Sequence, residues 1–157
     1  MSSHPENEPI LNYEVGSKER KDLEEEIEKQ LSEIIEIPCI INGEEIYTNN
    51  TVTQVVPHNH KHILANVHLA SQKEIEMACN SAVKAQESWI DLGLEKRSRI
   101  FEKCADLLAT SWRMKINAST MLNQSKTVFQ AEIDAACELI AVSYTHLRAH
   151  ETRHDLV

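Results

Sequence analysis

Apolar residues fall into three differently spaced regions along the chain. Residues 1–16 carry no period, and Pro5 and Pro9 block a helix start, so they read as an extended arm. From the N-cap type Ser17 onward, KERKDLEEEIEKQLSEIIE repeats apolar positions every three or four residues. Leu23, Ile27, Leu31 and Ile34/Ile35 form one stripe opposite a heavily charged face, which predicts a surface helix with a single neighbour. Arm and acidic amphipathic helix together fill 1–36. Pro38 ends that helix and opens a β-rich stretch over 37–70. Within IPCIINGEEIYT, Asn42-Gly43 separates two apolar runs, the signature of a tight hairpin whose turn needs positive φ twice. TVTQVVP and ILANVHLA read as two further strands joined by the loop HNHKH, making about four strands.

From residue 71 to 141 the spacing becomes helical. Ser71-x-x-Glu74 is a capping box. Behind it Ile75, Ala78/Cys79, Ala82, Ala85/Gln86 and Trp89 keep a 3.6-residue period until Gly93 interrupts. EKRSRIFEKCADLLAT follows, with Ile100, Cys104 and Leu107/Leu108 predicted to face inward. SWRMKINASTML continues the pattern, Asn123–Lys126 breaks it, and TVFQAEIDAACELI resumes it with Val128, Ala131/Glu132, Ala135 and Leu139. The small residues Ala135, Ala136 and Cys137 predict close helix packing on two sides.

Composition narrows the function. At 157 residues with 41% hydrophobic content, the chain is at most one ordinary domain. Its net charge of −9 opposes binding to a nucleic-acid backbone, and no apolar run reaches the roughly 20 residues that cross a membrane. Cys39, Cys79, Cys104 and Cys137 are widely spaced and read as small buried side chains in a reducing compartment. The first residues, MSSHPENEPILNYE, contain neither a signal-peptide core nor an Arg-rich presequence. Only three glycines occur, where average usage would give about eleven. Phosphate-cradling loops depend on glycine, and no such motif is present.

Four groups of residues could carry chemistry. HETRH (150–154) fits the zinc-protease pattern, with His146, His150 and His154 four apart and Glu151 as a base. That segment, however, sits in VSYTHLRAHETRHDLV (142–157), which has no apolar period. Its first eleven residues resemble the translation of a sequencing adapter. The tail is therefore expected to be non-native, with the natural product continuing past Ile140, and no metal site is expected. His58, His60 and His62 alternate in HNHKH, which reads as a solvated loop, with His68 just beyond. Glu24/Glu25/Glu26 and Glu44/Glu45 belong to charged surfaces. The segment TMLNQSKTVFQAEIDAACELI is different: Gln124–Thr127 is a polar break feeding a helix that sets Glu132, Asp134 and Glu138 among small apolar residues. On an α-helix Asp134 and Glu138 share a face, and Glu132 points elsewhere. Exposed acids and buried or pocket-facing carboxylates both remain open here.

NEPIL (7–11), GSKER (16–20), IPCIINGEEI (37–46), RIFEKCADLL (99–108) and above all TMLNQSKTVFQAEIDAACELI (120–140) resemble the Δ1-pyrroline-5-carboxylate dehydrogenase family, a branch of the aldehyde dehydrogenases. The resemblance implies an α/β fold: the N-terminal part of an aldehyde dehydrogenase, hairpin-type strands followed by helices of the NAD-binding domain, with that Rossmann-type domain incomplete. It implies oxidation of L-glutamate γ-semialdehyde to glutamate with NAD, in a homo-oligomeric enzyme of the mitochondrial matrix or, in a bacterium, the cytoplasm. The small-molecule substrate would be its ligand, with no nucleic-acid or membrane partner. Catalysis in that family proceeds by thiolate attack, hydride transfer and thioester hydrolysis. None of the four cysteines matches the nucleophile, and no catalytic or cofactor-binding residue falls in this segment, so the segment alone is expected to be inactive. Only Glu138 matches a family site position, on the access side of the substrate pocket. A free-standing helical interaction module is the alternative reading.

Overall fold

The computed structural model describes residues 8–143. The histidine-rich tail reading, including His146, His150, Glu151 and His154, lies outside them. Helix α1 spans Lys18–Ser32, and the Ser17 hydroxyl accepts from the Arg20 amide to cap it. Five strands follow: β1 (Ile35–Ile37), β2 (Cys39–Ile41), β3 (Glu44–Ile46), β4 (Thr51–Val56) and β5 (Asn59–His68). Then come α2 (Gln72–Asp91), α3 (Gly93–Ala109), α4 (Arg113–Gln124) and the short α5 (Val128–Ala131). A π-helical turn, Glu132–Cys137, continues α5, and α-helix resumes through residue 143.

The Asn-Gly turn forms as the sequence predicts. Asn42 and Gly43 both have positive φ (56° and 79°), and β2 pairs antiparallel with β3, Ile41 opposite Glu44. Helix α1 stops short of its predicted end. Ile34, Ile35 and Ile37 are β-branched and precede Pro38, which disfavours helix, and Ile35–Ile37 become β1 instead. Ile34 and Ile35 therefore leave the apolar stripe and are half exposed. β1 runs parallel to β5, and β4 pairs with β5 antiparallel, giving the order β1-β5-β4. The HNHKH loop is shorter than expected, because Asn59 already opens β5.

Helix α4 organises the core. Val56 and Leu64 of the sheet meet its Leu122, with Ile27 and Leu31 of α1 closing over them. Its Ala118 packs with Leu23 and Tyr13, flanked by Leu11, Met114, Met121 and Val128. Ala105 and Leu108 of α3 pack with Ile140, and Ile116 of α4 lies against them.

Helix α2 departs from its predicted packing. Its capping box forms, with the Glu74 carboxylate accepting from the Ser71 amide at 2.9 Å. Yet Ile75, Met77, Val83, Trp89 and Ile90 are 39–71% exposed. Ile100 and Leu107 of α3 are exposed as well, as are the thiols of Cys79 and Cys104, which were read as buried. The amphipathic pattern is present, but only part of it is covered: Ala105 and Leu108 of α3 are buried, while these other apolar positions stay exposed. Among the described residues, no helix is long and apolar enough to cross a membrane.

Candidate functional site

The polar break at 124–127 resolves into a helix-to-helix joint. Ser125 ends α4 in the left-handed conformation (φ 53°), and its hydroxyl bonds His58 Nδ1 at 2.8 Å. Thr127 then caps α5 in a capping box with Gln130. Lys126 reaches forward to Asp134 at 2.5 Å. The other imidazoles of the strand region turn to separate partners. His62 Nε2 meets the Leu31 carbonyl, while His68 bridges the Thr48 carbonyl and Glu36. His58, His62 and His68 are thus committed to different elements, a geometry that converges on no common ion. Glu36 accepts from Asn66 and His68, which holds its carboxyl below the ordinary range.

The centre of the joint is a buried ionic cluster. Glu132 is wholly buried. Its Oε1 accepts from the Leu11 amide at 2.8 Å and from Arg113 Nη2 at 2.5 Å. Its Oε2 accepts from the Tyr13 hydroxyl and from Asn117 Nδ2, each at 2.7 Å. Arg113, also buried, donates to Glu8 and to the Pro9 carbonyl, and its Nη2 lies 3.7 Å from Cys137 Sγ. Asn117 Nδ2 donates to the Tyr13 oxygen as well, while its Oδ1 has no partner among the described residues. The N-terminal arm is thereby stitched to α4 and to the π turn.

Each member's protonation follows from this arrangement. Burial alone would raise the Glu132 pKa, but hydrogen bonds from Arg113, Leu11, Tyr13 and Asn117 outweigh it and hold the carboxylate ionised. For Arg113 burial works against the cation, and Glu132 and Glu8 more than offset it. Tyr13 is pushed well above its usual value, first by burial and then by the Glu132 carboxylate. Burial, and then the Glu132 charge, also raise the Cys137 thiol, leaving it a poor nucleophile. The shifts of Glu132, Arg113, Tyr13 and Cys137 all run away from proton transfer near neutrality. Its chemistry is that of a brace.

The apolar period placed Ala131/Glu132, Ala135 and Leu139 on one face, apart from Asp134 and Glu138, and left open which carboxylate is buried. The structure buries Ala131 and Glu132, as that period has them, but beyond them it buries Ala136 and Ile140 and exposes Leu139. The π turn inserts one residue and rotates everything after it, something a 3.6-residue template does not contain. Tyr13, Arg113 and Asn117 were not singled out. The one sequence signal was an arginine and an asparagine four apart on the predicted helix SWRMKINASTML, and Tyr13 in the arm offered none. Glu138 and Asp134 are exposed, and Glu138 stands at the end of the π turn.

Residues 45–155 match the aldehyde dehydrogenase family. The chain is 45% identical over 134 residues to the mitochondrial Δ1-pyrroline-5-carboxylate dehydrogenase of Dictyostelium discoideum, a match covering 85% of this chain and 24% of that protein. It is 40% identical to the Homo sapiens enzyme of that name over the same shares. The Mycobacterium tuberculosis Δ-pyrroline-5-carboxylate dehydrogenase superposes with a TM-score of 0.91 at 36% identity, covering 94% of this chain and 28% of that one. The chain spans about a quarter of the length of these curated relatives. With the matched residues covering most of the sequence and the fold agreeing throughout, the chain belongs to the aldehyde dehydrogenase family.

Proposed function

We propose that this chain is the N-terminal segment of an NAD-dependent dehydrogenase that oxidises L-glutamate γ-semialdehyde to L-glutamate in proline degradation. The observation that carries the reading is that sequence and backbone each match enzymes bearing that name over most of this chain. The Dictyostelium discoideum and Homo sapiens relatives are named mitochondrial, which supports the matrix as the compartment in a eukaryotic source.

The M. tuberculosis relative has been crystallised with NAD. The residues described here do not fit that cofactor. The one strand-to-helix connection that could meet a pyrophosphate, β5 to α2, has no glycine, and the Glu74 carboxylate already takes the Ser71 amide at the helix start. Cofactor binding and the reacting thiol therefore belong to the remaining three quarters of the enzyme. This segment contributes scaffold and one edge of the substrate site. Glu138, exposed at the end of the π turn, is the residue assigned to that edge, where its carboxylate would attract the α-ammonium of the substrate through water.

Two assays test this reading. The complete enzyme should reduce NAD with the semialdehyde, and the 157-residue chain alone should not. In the complete enzyme, Glu138→Ala should raise KM for the semialdehyde about tenfold, as expected for one lost interaction with a charged group, with NAD affinity unchanged. A complete enzyme without activity on the semialdehyde would refute the assignment.

A further inference from the structure

Glu138 faces outward only because the helix carrying it is irregular. Where the π turn begins the buried positions are Ala131 and Glu132; those that follow are Ala136 near its end and Ile140 and Ser143 beyond it. An uninterrupted α-helix, at 3.6 residues per turn, would carry the first pair on to about 135, 138–139 and 142. That phase would turn Glu138 and Leu139 into the core. The observed phase lags by one residue, a rotation of about 100°. The Glu138 amide shows the same slip, since it bonds the Ile133 carbonyl five residues back.

Two demands on opposite sides of the turn account for the extra residue. Glu132 must point at Arg113, Tyr13 and Asn117, while Ile140 must reach Ala105 and Leu108. The two residues are eight apart, roughly 80° out of phase on an α-helix, and one inserted residue brings them within about 20°. Arg113 fixes both ends, since it pairs with Glu132 at the start of the turn and touches Cys137 Sγ at its end.

We propose that Glu132 is a positioning residue: its buried carboxylate, gripped by the arm and by α4, locks the π turn and so aims Glu138 at the substrate. The inference rests on the substrate role of Glu138 proposed above. It assigns to the arm residues Leu11 and Tyr13 a part in substrate recognition, though neither needs to touch substrate.

The test is steady-state kinetics on the complete enzyme carrying Glu132→Gln, Tyr13→Phe, Glu138→Ala and the double change Glu132→Gln/Glu138→Ala. Glu132→Gln should raise KM for the semialdehyde about tenfold, as Glu138→Ala does, with kcat and the KM for NAD unaltered. The double variant should be no worse than Glu138→Ala, because both changes remove the same contact. Tyr13→Phe takes one hydrogen bond from the grip, so it should show a smaller rise of the same kind, and it serves if Glu132→Gln does not fold. Additive effects in the double variant, or lowered thermal stability and kcat without a change in KM, would overturn the proposal. A Glu138→Ala enzyme with normal KM would instead remove the substrate role, and the proposal with it.

Discussion

A carboxylate with no exposed surface persists only where its lone pairs are answered, and Glu132 meets that condition with four donors from two parts of the chain, the arm and α4. Removing its counter-ion should therefore be costly. Arg113→Met in the complete protein is expected to lose about 3–5 kcal/mol, and Arg113→Met/Glu132→Leu to recover part of that loss, as denaturant melts would show. The sign of the pH effect follows from the same bonds. The Glu132 carboxyl titrates below its unfolded value in the folded state, so its contribution is complete above about pH 4.3 and disappears as pH falls through the lower folded value. Tyr13 shows how firmly the cluster holds, because it keeps a bulky side chain at φ 51°, a conformation that costs about 1–3 kcal/mol. The sequence marked the acids of this block but not which one is buried. That choice is made by Arg113 and Tyr13, 19 and 119 residues away along the chain.

Among the secondary-structure elements, those set by adjacent residues were readable and those set by distant contacts were not. The Asn42-Gly43 turn, the Ser71 and Thr127 caps and the break at Gly93 all arise from neighbours in sequence. The strand β1 required β5, 30 residues on, to pair with Ile35–Ile37. The π turn required α3, α4 and the arm together. Thr127 is the cap on which the helix leading into that turn depends. Thr127→Ala should cost about 1 kcal/mol in a thermal melt, and Thr127→Ser should restore most of it.

Taken as a whole, the molecule is an incomplete shell. Trp89, Ile90, Ile100, Phe101, Trp112 and Phe129 are each 39–60% exposed, more apolar surface than a self-sufficient domain leaves in water. The family relationship supplies the explanation, since some three quarters of the relatives' length lies beyond the match. The 157-residue chain alone should bind a hydrophobic dye such as ANS, and iodoacetamide should alkylate Cys79 and Cys104 rapidly. In the complete enzyme both thiols should be slow to react. Equal alkylation rates in the two forms would show that the faces of α2 and α3 stay open in the mature protein.

The clasp on Glu132 also sets an order of events during synthesis. Leu11 binds a residue made 121 positions later, so the arm leaves the ribosome long before its anchor exists. At roughly 5–20 residues per second, that gap lasts on the order of ten seconds. During that interval the hairpin and the first helices can form, but the arm can only wait. The nascent chain closes its beginning around its own later product, and a polypeptide halted before Glu132 would lack the carboxylate that Leu11 and Tyr13 hold.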